Sequence, residues 1–290
     1  MAVDTYALIS TNDLKSWIGI SAIDTSSDAQ LEDAVDRASD MVEQYLDRHI
    51  VERTYREWID PEGQRTIVAR EWPITSVKTI AFGASDAMTI QIDNADDVLA
   101  TVENDGSSLK FNRISASGVS SSASLAFSTY LTTSLLVDQI NSSVAGFTAS
   151  LVKNAYSYTL HRFGGRGLVE AVMNLTYARD NISEYRIEFE TSRIHLMSDR
   201  FPNYRDDYRY TNTFPGSFQS VFIEYNAGFA SVPDDIKQVT IDIAADLYRL
   251  RMEDLTKNSE SLGDYSYSRA PTSERFVQTL ERLIGHRNLR

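Results

Sequence analysis

Carboxylates and histidines are the side chains in this sequence that could carry acid–base or metal chemistry, so their spacing decides what is possible. Glu184, Glu188 and Glu190 share one short segment, and a carboxylate pair roughly 5–10 Å apart across a sugar bond is what glycoside hydrolysis needs. In the same segment Tyr185, Ile187 and Phe189 alternate with Glu184, Arg186, Glu188 and Glu190. That is the period of a strand with one buried and one wet face, and a solvated strand face is the simpler reading. His49, His161, His195 and His286 lie far apart, with no HExxH or i, i+4 pair. They read as scattered surface or helix-end residues, and a histidine metal site would have to be made by the fold alone. His161-Arg162-Phe163-Gly164-Gly165-Arg166-Gly167 offers amides and arginines to a phosphate, but it lacks the GxxxxGK[ST] spacing and reads as a turn between strands. Tyr204 and Arg205–Tyr210 mix aromatic rings with both charges; stacking on bases would use the rings, whereas Asp206 and Asp207 favour a protein contact or a solvated loop. There is no GxSxG motif. With Cys 0, disulfides, thiolate zinc, iron–sulfur clusters and a cysteine nucleophile are all excluded.

The elements that must position these residues are bounded by composition. A chain of 290 residues accommodates one large or two ordinary domains. Lys+Arg 28 against Asp+Glu 41 leaves a net charge of −13, which repels nucleic acid and anionic membrane at long range and argues against a sequence-reading DNA binder. At 42% hydrophobic and 24% charged the composition is that of a folded chain, so the acidity does not signal disorder. Residues 1–20 have no basic flank ahead of an apolar run, and no stretch approaches the ~18 apolar residues of a membrane span, so a soluble protein retained or assembled in the cytoplasm is expected.

Helices come first. Ser10 or Thr11 caps a short helix that stops at Gly19. After Thr25–Ser27, the residues Leu31, Ala34, Val35, Ala38, Met41, Val42, Tyr45 and Leu46 form one apolar stripe, leaving Asp28, Glu32, Asp33, Asp36, Asp40, Glu43 and Asp47 on the other faces. Arg48 and His49 suit the negative end of that helix dipole. Val51–Ile59 and Arg65–Ala69, joined by Asp60-Pro61-Glu62-Gly63, read as a hairpin, and Ser76–Phe82 as a further strand.

From residue 84 to 215 the character changes. Serine fills half of Ser115–Ser128, charges thin out, and Thr89–Ile92, Leu125–Tyr130 and Ala155–Leu160 suggest strands around one helix, Leu135–Ile140, capped by Thr133 or Ser134. Val221–Tyr225 restores the earlier style, Pro233 opens a long helix with Ile236, Val239, Ile243, Leu247 and Leu250 on one stripe, and a polar segment separates it from a last helix, Ser273–Ile284. The expected fold is therefore α+β: a helical core with a small β layer, discontinuous over 1–83 and 216–290, carrying an inserted β-rich α+β domain at 84–215.

The order of a helix-rich start, Glu71–Ile80, then Phe222–Arg251 and Leu262–Ser268 resembles the bacteriophage head-to-tail connector, or adaptor, family. Tyr225-Asn226-Ala227-Gly228-Phe229 followed by Val232-Pro233-Asp234-Asp235-Ile236 is the most specific part, and the resemblance covers roughly residues 5–82 and 218–270. The usual member is much shorter, so 84–215 departs from the pattern.

That resemblance implies a virion protein of the neck: a homo-oligomeric ring, typically of about twelve copies, under the portal protein at a capsid vertex. It implies passage of double-stranded DNA without sequence reading, a platform for the next neck or tail protein, and no catalytic residue, metal, cofactor or membrane. Because the C-terminal segment of such adaptors reaches the portal, Arg275, Phe276, Leu280, Leu283, Ile284, Arg287 and Arg290 become docking candidates; the helix packing on its own subunit is the other reading. Asp28, Glu32, Asp36, Asp40 and Glu43 become channel-lining candidates, since an acidic wall repels phosphates, though they equally suit an outer solvated face. A virion decoration or carbohydrate-binding module built on the serine-rich insertion is the competing class, and a glycan-cleaving enzyme on the Glu184–Glu190 strand the third.

Overall fold

The structure is a computed structural model. It describes residues 4–169, 172–181, 185–189, 191–196, 214, 220–250, 259–262, 265–268 and 272–286, with backbone only at 180–181, 259–262, 265–268 and 272–275. The chain begins with helices α1 (Thr11–Ile18) and α2 (Asp28–Leu46), followed by strands β1 (Arg53–Ile59), β2 (Thr66–Val68), β3 (Ile74–Phe82), β4 (Ser85–Ile92), β5 (Leu99–Asn104), β6 (Ser108–Ile114) and β7 (Ser120–Ala126). Helix α3 (Thr133–Ser143), β8 (Phe147–Leu151), a 3-10 turn (Ser157–Thr159), β9 (Phe163–Gly167), β10 (Met173–Tyr177) and β11 (Asp180–Asn181) come next. Then follow β12 (Tyr185–Glu188), β13 (Arg193–Leu196), β14 (Val221–Ala227), α4 (Asp234–Leu250), the hairpin β15 (Ser259–Leu262) and β16 (Tyr265–Ser268), α5 (Thr272–Glu281) and a final 3-10 turn (Ile284–His286). This is the expected α+β class. Two compact units form, Met1–Arg53 with Ala227–Arg290, and Thr54–Asn226.

The first unit is helical. Ser10 and Asp13 satisfy each other's amides, at 3.2 and 2.8 Å, in a capping box, and Gly19 ends α1 at φ 80°. In α2 the expected stripe turns inward: Leu31, Ala34, Val35, Ala38, Val42 and Leu46 are buried with Leu14 of α1 and Ile236, Val239 and Ile243 of α4. Lys15 is buried too, its Nζ 2.5 Å from Asp28 and 2.7 Å from the Asp24 carbonyl, so the cation closes the loop between α1 and α2. Arg48 and His49 follow directly on the C-terminus of α2. The helix stops at Leu46, Asp47 turns left-handed at φ 52°, Arg48 is buried with its guanidinium 5.4 Å from the Phe229 ring, and His49 turns back to Glu43.

The second unit contains the sheets β1-β14-β3-β11, β10-β4-β8, β12-β13-β2 and β7-β6-β5-β9. One apolar cluster, including Met88, Ile90, Val102, Phe111, Leu136 and Phe147, is buried between strands and α3. The expected hairpin is not formed: Gln64 closes a turn on the Pro61 carbonyl at 2.9 Å, but β1 and β2 join different sheets. Tyr55 stacks on Tyr225 and Trp58 tilts on Phe222, so β1 is held beside β14, while Ile67 of β2 pairs with Ile194 of β13. Three further expectations shift. Within Ala155–Leu160 a 3-10 turn forms in place of a strand, α3 is capped by Thr132, and Phe163–Gly167 is an edge strand on β5 instead of a turn.

Candidate functional site

The acidic flank of α2 is less open than its sequence suggests. Asp28 is held by Lys15, and Asp36 accepts the Asp4 amide at 3.1 Å. Glu43 accepts the Ile50 amide at 3.0 Å, meets Arg53 at 3.1 Å and lies 2.9 Å from Nδ1 of His49. Together with Glu32 these side chains are only half-buried, whereas Asp40 is exposed. Asp33, Arg37 and Asp40 are on the fully wet stripe, one step round the helix from the expected one, with Asp33 paired to Arg37 at 3.0 Å and Asp47 exposed just past the helix end.

Helix α5 lies on its own α4. Leu283 is fully buried, Leu280 nearly so, and Phe276 packs partly against the same cluster. Arg282 reaches Asp242 at 3.0 Å, and His286 reaches Asp235 at 2.5 Å. Burial works to raise the Asp235 carboxyl, but the His286 ring and the Ile236 amide outweigh it, so it titrates below the usual carboxylate range. Val277 of α5 and Ile284 of the following 3-10 turn are 51% and 62% exposed. Arg287 and Arg290 lie outside the described residues, as does the Arg275 side chain.

In the segment Tyr225–Asp235, the residues Tyr225, Asn226, Gly228 and Phe229 are each held by contacts distant in sequence. The Tyr225 hydroxyl accepts the Glu71 amide at 3.0 Å, and burial first, then the nearby Glu57 charge, pushes its proton affinity far above that of an ordinary phenol. Thr54 donates to the Asn226 side chain at 2.8 Å. Phe229 exchanges backbone bonds with Ile50 and Glu52, at 2.8 and 3.2 Å, which brings the intervening Gly228 against the 51–52 backbone. Gly228 has φ +116°, and an added Cβ would lie 2.8 Å from the Cα and N of Glu52.

Among the described residues no group of three or more His, Asp and Glu could hold a metal ion. The histidines separate by role. His49 binds Glu43 and His286 binds Asp235. His161 lies 4.8 Å from the Trp58 ring and 3.1 Å from the Thr176 hydroxyl, and burial lowers its affinity for a proton. His195 meets one of the three glutamates weighed for catalysis: its Nε2 is 3.2 Å from Glu188 and its Nδ1 2.7 Å from the Thr66 hydroxyl. Glu184 and Glu190 lie outside the described residues, as do Tyr204 and Arg205–Tyr210. Thr66 carries no local signal of this contact, because β2 and β13, which bring it to His195, are distant in the chain.

A family model described as Head completion protein matches residues 7–120. The matched stretch runs from just before α1 to the start of β7. Over it the chain is similar to head completion proteins, which supports a bacteriophage head-related structural or assembly role, with contacts to other head or neck components, and weighs against catalysis. No curated protein matches the chain. No helix among the described residues is long and apolar enough to cross a membrane.

Proposed function

We propose that the protein is a head-to-tail adaptor: a homo-oligomeric ring, of about twelve copies, that sits under the portal, lets double-stranded DNA pass, and presents a platform to the next neck or tail protein. The observation that carries this reading is the similarity of residues 7–120 to head completion proteins. The adaptor-like segment Tyr225–Ile236, outside that stretch, supports the narrower assignment. Residues 84–215 are then an insertion in the adaptor, and the virion neck, after assembly in the host cytoplasm, is where the protein works.

Self-association is supported by β7, the outer strand of its sheet. It pairs with β6 over seven residues from Ser120 to Ala126 without a bulge, and residues 114–137 contain no charge or proline. Natural edge strands usually carry such features to prevent pairing with another chain, so a bare edge suits one that is covered in an assembly. The exposed Asp33 and Asp40 of α2, with Asp47 just past its end, are where an acidic channel wall would keep DNA sliding, by repelling its phosphates. Portal docking falls to the exposed Val277 and Ile284 with the basic residues Arg287 and Arg290 beyond them.

Mass measurement in solution, with and without the portal protein, tests this reading. A discrete closed oligomer, or a monomer that becomes one on the portal, is the expected result. A protein that stays monomeric and never enters a portal complex overturns it.

A further inference from the structure

A second site stands apart from the assembly surfaces. Strand β13 is central in the sheet β12-β13-β2, and its register sets Arg186, His195 and Thr66 side by side across the three strands. Side chains on one face of a sheet share alternate positions, so Glu188, Arg193 and Val68 form the next row on that face. Ile187, Ile194 and Ile67 occupy the opposite face, where Ile194 and Ile67 are buried. The apolar side thus fixes the register.

Thr66, Arg186, Glu188 and His195 of the polar side line an open cleft of about 510 Å³ together with Arg65 and Leu196, which pair through their backbones where β2 and β13 end. Elsewhere in this acidic chain basic side chains are repeatedly matched with carboxylates: Lys15 with Asp28, Arg53 with Glu43, Arg56 with Glu224, Arg113 with Asp97. Arg65 and Arg186 are exposed, and among the described residues neither has a carboxylate partner. Glu188, the one acid in the cleft, is already engaged by the Thr191 hydroxyl at 2.8 Å and by His195 at 3.2 Å. Thr191 first, then His195 and Arg193, keep Glu188 below the usual carboxylate range, so it stays ionised and orients the imidazole. The Nε2 atom of His195 is buried against Glu188, so the ring borders the cleft without offering it this nitrogen.

We propose that this cleft is a phosphate-binding site, in which the guanidiniums of Arg65 and Arg186 hold the phosphate oxygens, and the Thr66 hydroxyl, accepting from Nδ1 of His195, turns its own proton to the ligand. Guanidinium forks match the paired oxygens of a phosphate. The cleft is larger than an isolated phosphate ion, so it accommodates a phosphate carried on a nucleotide or on a nucleic-acid backbone. The site stands or falls without the ring, since it is built within Thr54–Asn226 of one chain.

With only four histidines, the ring resonances of the full-length protein can be assigned by substitution, and His195→Gln identifies the one that reports on the cleft. Titration with inorganic phosphate at constant ionic strength should shift that resonance to saturation. The double variant Arg65→Gln/Arg186→Gln should weaken binding at least about tenfold, with an unchanged thermal midpoint because both side chains are exposed. Thr66→Val should weaken it less. A nucleoside monophosphate and a short DNA duplex are the comparison arms. An endpoint reached at lower concentration by either one identifies what carries the phosphate, and an endpoint reached by inorganic phosphate alone identifies the free ion; each supports the site. No saturable shift with any of the three, or equal binding by the double variant, overturns it.

Discussion

Gly228 shows how a single residue can be visible in a sequence while its reason is not. The run Tyr225–Phe229 stands out as a motif, yet what excludes a side chain at Gly228 is the backbone of Val51 and Glu52, far away in the chain. Backbone atoms cannot rotate aside as a side chain can, and φ +116° lies where an L-residue is strained. Gly228→Ala should therefore lower the unfolding free energy by about 1–3 kcal/mol. Gly19 is the control: its φ is +80°, but a Cβ there meets nothing within 4 Å, so Gly19→Ala should cost only about 1 kcal/mol. Urea melts of the two variants decide the matter; equal losses would mean that the contact between 228 and 52 yields easily. The same distance argument applies to Thr66 and His195. Each is an unremarkable polar residue in its own segment, and only pairing between strands distant in sequence makes them partners.

Elements with local causes were the legible ones. The capping box of α1, the apolar stripe of α2 and the proline-led start of α4 are set by residues within a few turns, and the structure has them where the spacing predicts. The β1–β2 hairpin failed because a good turn does not decide what a strand pairs with; aromatic residues on β14 do. Helix α5 lies between these cases: its periodicity is plain, but which side faces the protein is a tertiary matter. Leu283 is fully buried and Ile284, its neighbour, is 62% exposed. Leu283→Ala should cost about 2–4 kcal/mol, the transfer of a leucine plus a cavity, while Ile284→Asp leaves the melt within about 0.5 kcal/mol of wild type. If Val277 and Ile284 form the docking surface, Val277→Asp/Ile284→Asp should lose portal binding with the fold intact. Portal binding lost only in Leu283→Ala, in step with its stability, would instead assign α5 a purely intramolecular role.

For the whole molecule the net charge of −13 sets the sign of the salt response. Copies in a ring bring like charges together, and their repulsion is screened as the Debye length falls from about 10 Å at 0.1 M salt to about 3 Å at 1 M. Apolar and backbone contacts, such as a covered β7 edge, lack that dependence. Self-association should therefore strengthen when salt is raised from about 0.05 to about 0.5 M, and light scattering or analytical ultracentrifugation reads the shift directly. Portal docking through Arg287 and Arg290 should respond in the opposite direction, because attraction between a basic tail and an acidic surface is screened by the same ions. The two responses can be separated by measuring self-association alone and then portal binding at fixed oligomeric state. Self-association that weakens with salt would mean that matched charges hold the copies together. The acidic surface would then be part of the contact between copies and unavailable as a channel wall, so the sign of one titration separates the two places the acidity can occupy.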